Sequence, residues 1–438
     1  MSQPLRLDRR RFLASTSAAV LGAGYFAGSL SAAESDSPNE RLNIASIGTT
    51  GRAGSNLRGV ATQNIVAMAD VDDDLMAKAG EVYRSARRYR DFRTMLDKEA
   101  EHLDAVLVST ADHTHAAAAA MAMKLGKHVY CEKPLTHTVV EARTLADLAE
   151  EKKLVTQMGT QIHAGDNYRR VVELVQSGAI GPVREAHVWV GVDYAGKTFG
   201  KPQPAPKSLA WDLWLGPAPR RAYSEGVHPF NWRWFWDYGT GGLGDFGCHY
   251  MDLVHWALDL RSPTKVSAEG PKPHPLYTTS GLTVKWQYPA RDKLPPVELT
   301  WYDGGRKPKQ LADLKDAKGK PLDWKSGQLL VGSEGMIVSD YGKHLLLPVE
   351  KFADFKRPEP FIPNSIGHHA EWLRAIRSGG PTTCNFRYSG ALTEAVLLGV
   401  AAYRSGETID WDAEKLVCRG AEQAQHLMHT EYRQGWEL

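Results

Sequence analysis

The sequence predicts an α/β protein in two parts, a doubly wound parallel sheet followed by a larger α+β region built on a mostly antiparallel sheet. Three observations carry that prediction. Between residues 42 and 160, short apolar runs alternate with helical segments, the pattern of βαβ units on a parallel sheet. The first apolar run ends in a glycine-rich turn, Gly48-Thr49-Thr50-Gly51-Arg52-Ala53-Gly54, which reads as strand, turn and helix. Beyond residue 161 many strand-like runs follow with few long helices between them, which favours antiparallel pairing.

The chain has 438 residues, enough for two domains. Hydrophobic residues make up 42% and charged residues 24%, and the formal charge is +2. That composition suits a globular protein and excludes a global field for nucleic acid or anionic membrane. The first residues stand apart. Asp8-Arg9-Arg10-Arg11-Phe12-Leu13 leads into an Ala/Gly-rich apolar stretch to about Leu30, then Ser31-Ala32-Ala33. A basic region, a short apolar region and small residues at a cut site make a signal peptide, of twin-arginine pattern. A membrane anchor is the competing reading, but Gly22, Gly24 and Gly28 weaken the apolar stretch, and no other stretch is apolar enough to span a bilayer. The expected organisation is a signal peptide over residues 1–33, a linker over 34–41, a nucleotide-binding domain over 42–160 and a substrate-binding, oligomerising domain over 161–438. The expected location is periplasmic or exported, and the export machinery is an expected partner. Cys131, Cys248, Cys384 and Cys418 match no zinc spacing, and no disulfide framework is expected.

Within the first domain, Leu42–Ile47 reads as a buried strand and a helix begins near Ser55. Glycines in the turn let backbone approach a pyrophosphate, and the helix N-terminus offers N–H groups and a positive dipole end. The turn departs from GxGxxG at Thr50 and Ala53. A second strand, Asn64 to Ala69, ends in Asp70 about twenty residues after the turn, where a carboxylate accepts ribose hydroxyls. Asp72, Asp73 and Asp74 follow and could equally cap the next helix. An acid at Asp70 favours NAD; Arg52 in the turn leaves NADP possible. Leu103–Thr110 is a third strand, followed by Ala111-Asp112-His113-Thr114-His115 and an alanine-rich helix from Ala116; Lys127–Cys131 is a fourth, ending at Glu132-Lys133-Pro134. Ligands of such sheets bind at the carboxyl ends of the strands.

In the second domain, strands are expected over Pro182–Tyr194, Gly281–Tyr288, Val297–Tyr302, Gln328–Val331 and Met336–Val338, with helices near His368–Ser378 and Leu392–Ser405. Asp245, His249, Asp252 and Trp256 share one helical face. Gly241, Gly242 and Gly244 are expected to end any earlier helix and to bring backbone close to a ligand. Oxidising an alcohol carbon requires loss of a hydride and of the hydroxyl proton. A His is the usual base, a carboxylate can orient it, and a cation can stabilise alkoxide character. His249, Asp245 and Lys133 can fill those roles; a capped helix with an ordinary buried His is the bland alternative. A metal site on Asp245/His249 or His113/His115 lacks ligands, and none is expected. Seven of the thirteen Trp lie between Trp189 and Trp256. Their rings suit either a sugar face or the core, and Arg233, Trp232 and Trp236 are the substrate candidates.

These residues resemble the glucose–fructose oxidoreductase and inositol 2-dehydrogenase (Gfo/Idh/MocA) family, from about Leu42 onward. The likeness rests on Glu132-Lys133-Pro134 beyond the STADHTH segment, and on Gly241-Gly242-Leu243-Gly244-Asp245 running on to His249. It implies a Rossmann domain, a following domain with a large open sheet, a tightly held nicotinamide cofactor and homo-oligomers built through that sheet. It implies Lys133, Asp245 and His249 as catalytic residues. The candidate cofactor residues are Gly48, Thr49, Thr50, Gly51, Arg52, Asp70, Thr110, His113, His115, Glu132, Lys133 and Gln161. The expected activity is hydride transfer between NAD(P) and a sugar or polyol. Export separates an enzyme from a nicotinamide pool, so a glycosidase or lyase recycling its NAD is the alternative. A non-catalytic, cofactor-bearing sugar-binding protein is a third reading.

Overall fold

The computed structural model describes residues 41–438; the expected signal peptide and nearly all of the linker lie outside the described residues. Six strands make the first sheet: β1 (Asn43–Ile47), β2 (Asn64–Ala69), β3 (Arg87–Tyr89), β4 (Ala105–Val108), β5 (His128–Cys131) and β6 (Thr156–Met158). All pair in parallel, in the order β3-β2-β1-β4-β5-β6. The order reverses between β1 and β4, so a crevice opens at their carboxyl ends. The three-residue strands β3 and β6 are additions to the four expected from sequence.

The helices of this domain are α1 (Arg52–Gly59), α2 (Asp73–Val82), α3 (Phe92–Glu99), α4 (Asp112–Lys124) and α5 (Val139–Glu151). Their starts are set by side-chain caps. Asp72 accepts from the Asp74 and Leu75 amides, Asp91 from Arg93, and Thr138 with Glu141 forms a capping box. The alanine-rich helix starts at Asp112, four residues before the expected Ala116. Its Ala116–Ala120 run is buried, because small side chains let the helix sit close against its neighbours.

The second sheet has nine strands: β7 (Val183–Trp189), β8 (Lys265–Glu269), β9 (Thr283–Tyr288), β10 (Val297–Tyr302), β11 (Gly327–Gly332), β12 (Met336–Ser339), β13 (His344–Leu347), β14 (Ile409–Asp412) and β15 (Val417–Arg419). The order is β13-β12-β11-β7-β10-β9-β8-β14-β15, antiparallel except where β10 meets β7. One face is packed by α8 (Gly241–Ala257) and α10 (Phe386–Ser405). The remaining helices are α6 (Asp166–Gln176), α7 (Trp211–Leu215), α9 (His368–Ser378) and α11 (Glu422–His426). Asn385 caps α10, so it starts before the expected Leu392; Gly406 ends it in the left-handed region. A Cβ at Gly399 would come within 2.5 Å of the fully buried Trp286 ring, so this helix reaches the sheet only because residue 399 has no side chain. The same helix packs against α5 and ties the two domains together.

Gly241, Gly242 and Gly244 form the first turn of α8, so the helix that carries Asp245 starts within the glycine run. First-turn amides have no intrahelical partner in any case, and tertiary packing overrides the propensity. Gly242 lies against Val192, and a Cβ at Gly244 would overlap the Thr240 side chain. All four cysteines are buried and free.

Candidate active site

A cleft of about 520 Å³ opens at the β1/β4 crevice. The glycine turn forms one wall. Gly48 has φ +89°, and a Cβ there would meet the Ser109 carbonyl oxygen at 2.6 Å; both facts demand glycine. Gly48, Thr49, Thr50, Gly51, Arg52, Asp70, Thr110, His113, Trp232 and Arg233 all line the cleft. The acidic run after β2 divides its labour. Asp72 caps α2, Asp73 pairs with Arg90, and Asp70 accepts a hydrogen bond from Thr49 Oγ1 at 2.6 Å inside the cleft. Burial raises the Asp70 carboxyl above its ordinary value, against hydrogen bonds from Thr49 and the Asp72 amide and the charge of His228.

His228 was not foreseen from sequence. It lines the cleft and its Nε2 lies 3.0 Å from Asp72 Oδ2. From there the loop runs through Phe230 and Trp232 to Arg233, whose Nε donates to Asp245 Oδ1 at 3.3 Å. One short loop therefore joins the acids after β2 to a second cluster. In that cluster Lys133 Nζ donates to the Asp245 carbonyl oxygen at 2.8 Å and to its carboxylate, and the Tyr194 hydroxyl also donates to that carboxylate. Burial alone would raise the Asp245 carboxyl, but the Lys133 and Arg233 cations prevail and hold it well below the usual carboxylate range. His249 follows one turn along α8. Burial, and then the Lys133 charge, lower its imidazole to about 3, so it is neutral near pH 7. Its buried Nδ1 has no hydrogen-bond partner among the described residues.

Asp112 is another residue that sequence reasoning missed. It is 2% exposed at the start of α4 and accepts from Thr240 Oγ1 at 2.8 Å. Burial lifts its carboxyl to about 7, with Lys133 and Arg233 pulling down and Asp245 pushing up. The only sequence signal was an acid in a helical first turn, indistinguishable from a cap.

Four candidates sit elsewhere. Glu132 is buried beneath the cleft, accepting from Asn56 Nδ2 at 2.9 Å and Gln161 Nε2 at 2.8 Å; Glu132 and Gln161 support the floor and do not line it. His115 bridges the Pro134 and Thr110 carbonyl oxygens at 2.8 and 3.1 Å, a link inside the fold. His113 does line the cleft, yet its ring nitrogens are spent on the Tyr238 and Trp214 carbonyls. Trp236 is corrected: its indole donates to the His274 carbonyl at 3.0 Å and it lines a separate cavity with Arg404. On α8, Asp252 lies 3.0 Å from His163 Nδ1, and the His163 ring stacks on Trp256, so that half of the helical face is core.

The cleft fits an elongated anionic cofactor: backbone amides and an open glycine turn on one wall, and the half-buried Asp70 carboxylate for hydroxyl groups beyond. A family model described as the NAD-binding Rossmann fold of the Gfo/Idh/MocA oxidoreductases matches residues 17–160, and one for that family's C-terminal alpha/beta domain matches 167–294. Levoglucosan dehydrogenase of Pseudarthrobacter phenanthrenivorans is 25% identical over 198 residues, 44% of this chain and 42% of that protein. Inositol 2-dehydrogenase 3 of Saccharopolyspora erythraea is 37% identical over 133 residues, 30% of this chain and 38% of that protein. The matched stretches thus span about two fifths of these relatives. The WlbA dehydrogenase of Bordetella pertussis, solved with NADH and UDP-GlcNAcA, has the same fold: TM-score 0.59 at 14% identity, covering 85% of this chain and 99% of that one.

Proposed function

This chain belongs to the Gfo/Idh/MocA oxidoreductase family, with an NAD-binding Rossmann domain ahead of the family's C-terminal domain, and on that premise we propose that it moves a hydride between NAD and a hydroxyl-bearing carbon of a sugar or polyol. The observation that carries the reading is the connection of two sites by one loop: the Asp70 end of the cleft, and the Lys133–Asp245–Arg233 cluster reached through His228 to Arg233. Bound NAD supplies the hydride acceptor. The remaining roles fall to the protein. Lys133, pinned by Asp245, presents a cation to the substrate oxygen and stabilises alkoxide character. His249, neutral near pH 7, takes the hydroxyl proton at Nε2, the ring nitrogen that is not buried. Loss of that proton and of the hydride turns the alcohol carbon into a carbonyl. Trp232 and Arg233, which line the cleft, are the substrate-facing residues.

Asp70 supports NAD over NADP, because a carboxylate that accepts two ribose hydroxyls repels a phosphate in their place. Arg52 lines the same cleft and is the cation that would offset this preference by reaching a phosphate on the ribose. The Arg9–Leu13 motif supports export through the twin-arginine route, which carries folded, cofactor-loaded proteins. The sheet face away from α8 and α10 is packed by Leu311 and Leu322 over β7, β11, β12 and β13, and its β9–β10 part, which carries Lys285 and Glu298, is the surface we assign to self-association. The test is mass analysis of nucleotide released from the purified protein, then a sugar and polyol panel read by absorbance of reduced nicotinamide. Co-purified NAD and a responding polyol support the reading. Glycosidic cleavage with no net redox change would replace it with the recycled-cofactor alternative.

A further inference from the structure

The C-terminal segment after α11 crosses back to the nucleotide-binding domain and is fastened along its length. The Val140 amide donates to the Met428 carbonyl at 3.0 Å, and the Tyr432 hydroxyl donates to Glu141. Arg433 donates to the Gly216 carbonyl at 2.7 Å and to Asp212 Oδ1 at 2.8 Å. Arg93 donates to the Gly435 carbonyl at 2.9 Å, and its guanidinium lies 3.9 Å over the Trp436 ring. Trp436 is held edge-on to Phe92 at 5.8 Å between ring centres.

These fastenings deliver Trp436 to one place. It lines the cofactor cleft together with Arg90, Asp91, Phe92, Leu213 and Trp214. In a doubly wound nucleotide domain the pyrophosphate lies at the glycine turn and the ribose at the acid ending β2. The adenine then extends past Asp70, toward Val71, Leu75 and the start of α3, the end that Trp436 walls. The ring is 6% exposed, and it meets the cleft with the apolar surface that Arg93 and Phe92 leave uncovered. We propose that Trp436 is the aromatic wall of the adenine subsite, and that the segment from Met428 to Trp436 is a strap retaining the cofactor. This rests on the NAD reading above. It gives that reading a physical cause for tight retention, since release requires the strap to leave its seat.

The experiment uses the full chain stripped of nucleotide, with NAD, AMP and nicotinamide mononucleotide as probes in calorimetry. Trp436→Ala should weaken NAD and AMP together by roughly tenfold to a hundredfold, the scale of one lost base–aromatic stack. Nicotinamide mononucleotide, which does not reach that end, should bind as it does to the wild type, and Trp436→Phe should recover most of the loss. Arg433→Ala removes the fastenings to Gly216 and Asp212 with a residue that does not line the cleft. It should speed NAD release in a displacement assay with little change in association rate. NAD and AMP affinities within twofold of wild type in Trp436→Ala, or unchanged release in Arg433→Ala, would overturn the proposal while leaving the NAD reading standing. Wild-type protein that binds neither NAD nor AMP would overturn both.

Discussion

Replacing Asp112 with Asn should stabilise the protein, and by an amount that depends on pH. Asp112 is buried against Lys133, Arg233 and Asp245, and burial lifts its carboxyl from an ordinary 3.8 to about 7. Below pH 3.8 the group is protonated folded or unfolded and contributes nothing. As pH rises from there to 7, the unfolded chain releases this proton while the folded protein keeps it. Stability therefore falls across that window and stays reduced above it. At 1.36 kcal/mol for each unit of displacement, the full cost is about 4 kcal/mol above pH 7 and about 2 kcal/mol at pH 5. Asn cannot ionise, and its amide oxygen still accepts from Thr240 Oγ1. Denaturant unfolding of wild type and Asp112→Asn at pH 5 and pH 8 measures the difference. The variant should be the more stable at both, with a gap about 2 kcal/mol wider at pH 8. Parallel pH dependences would show that Asp112 ionises normally and that the cluster is more hydrated than its packing implies.

Other changes test the remaining roles. Lys133→Ala and His249→Ala should each lower hydride transfer by at least about a hundredfold while the circular dichroism spectrum stays that of the folded protein; near wild-type turnover of a saturating polyol would remove them from the chemistry. Asp70→Ala should erase the preference for NAD over NADP in competitive binding to the stripped protein, whereas tighter NADP binding by the wild type would contradict the ribose assignment. Arg9→Lys with Arg10→Lys should leave the precursor in the cytoplasm on cell fractionation; unchanged mature protein outside the inner membrane would argue for another route.

Local signals were legible in the sequence and assembled ones were not. The first strand, the glycine turn and Asp70 lie within thirty residues, so spacing alone locates them in the crevice. Lys133 and Asp245 are 112 residues apart, yet each sits in its own short motif, and the pair could be named before its contact was seen. Trp232 and Trp236 look alike in sequence, and only the path of the loop sends one to the cleft and the other to a separate cavity. Asp112 reads as a helix-start acid until Thr240, Lys133 and Arg233 arrive from three other segments. Trp436 depends on a contact spanning 342 residues, from Arg93 to Gly435, which no periodicity encodes. The glycines of α8 marked a helix boundary in the sequence, but that Gly244 admits no side chain beside Thr240 is visible only in the packing.

The central claim is that the cluster at Lys133, Asp245 and His249 works on a hydride moving between a carbinol carbon and NAD in the cleft. It is tested most directly by single-turnover mixing of cofactor-loaded protein with a polyol deuterated at its carbinol carbons. The nicotinamide is then recovered for mass analysis. The account predicts reduced nicotinamide carrying one deuterium, formed in wild type and at least about a hundredfold more slowly in Lys133→Ala. Unlabelled nicotinamide, with a substrate converted in the wild type, would contradict it.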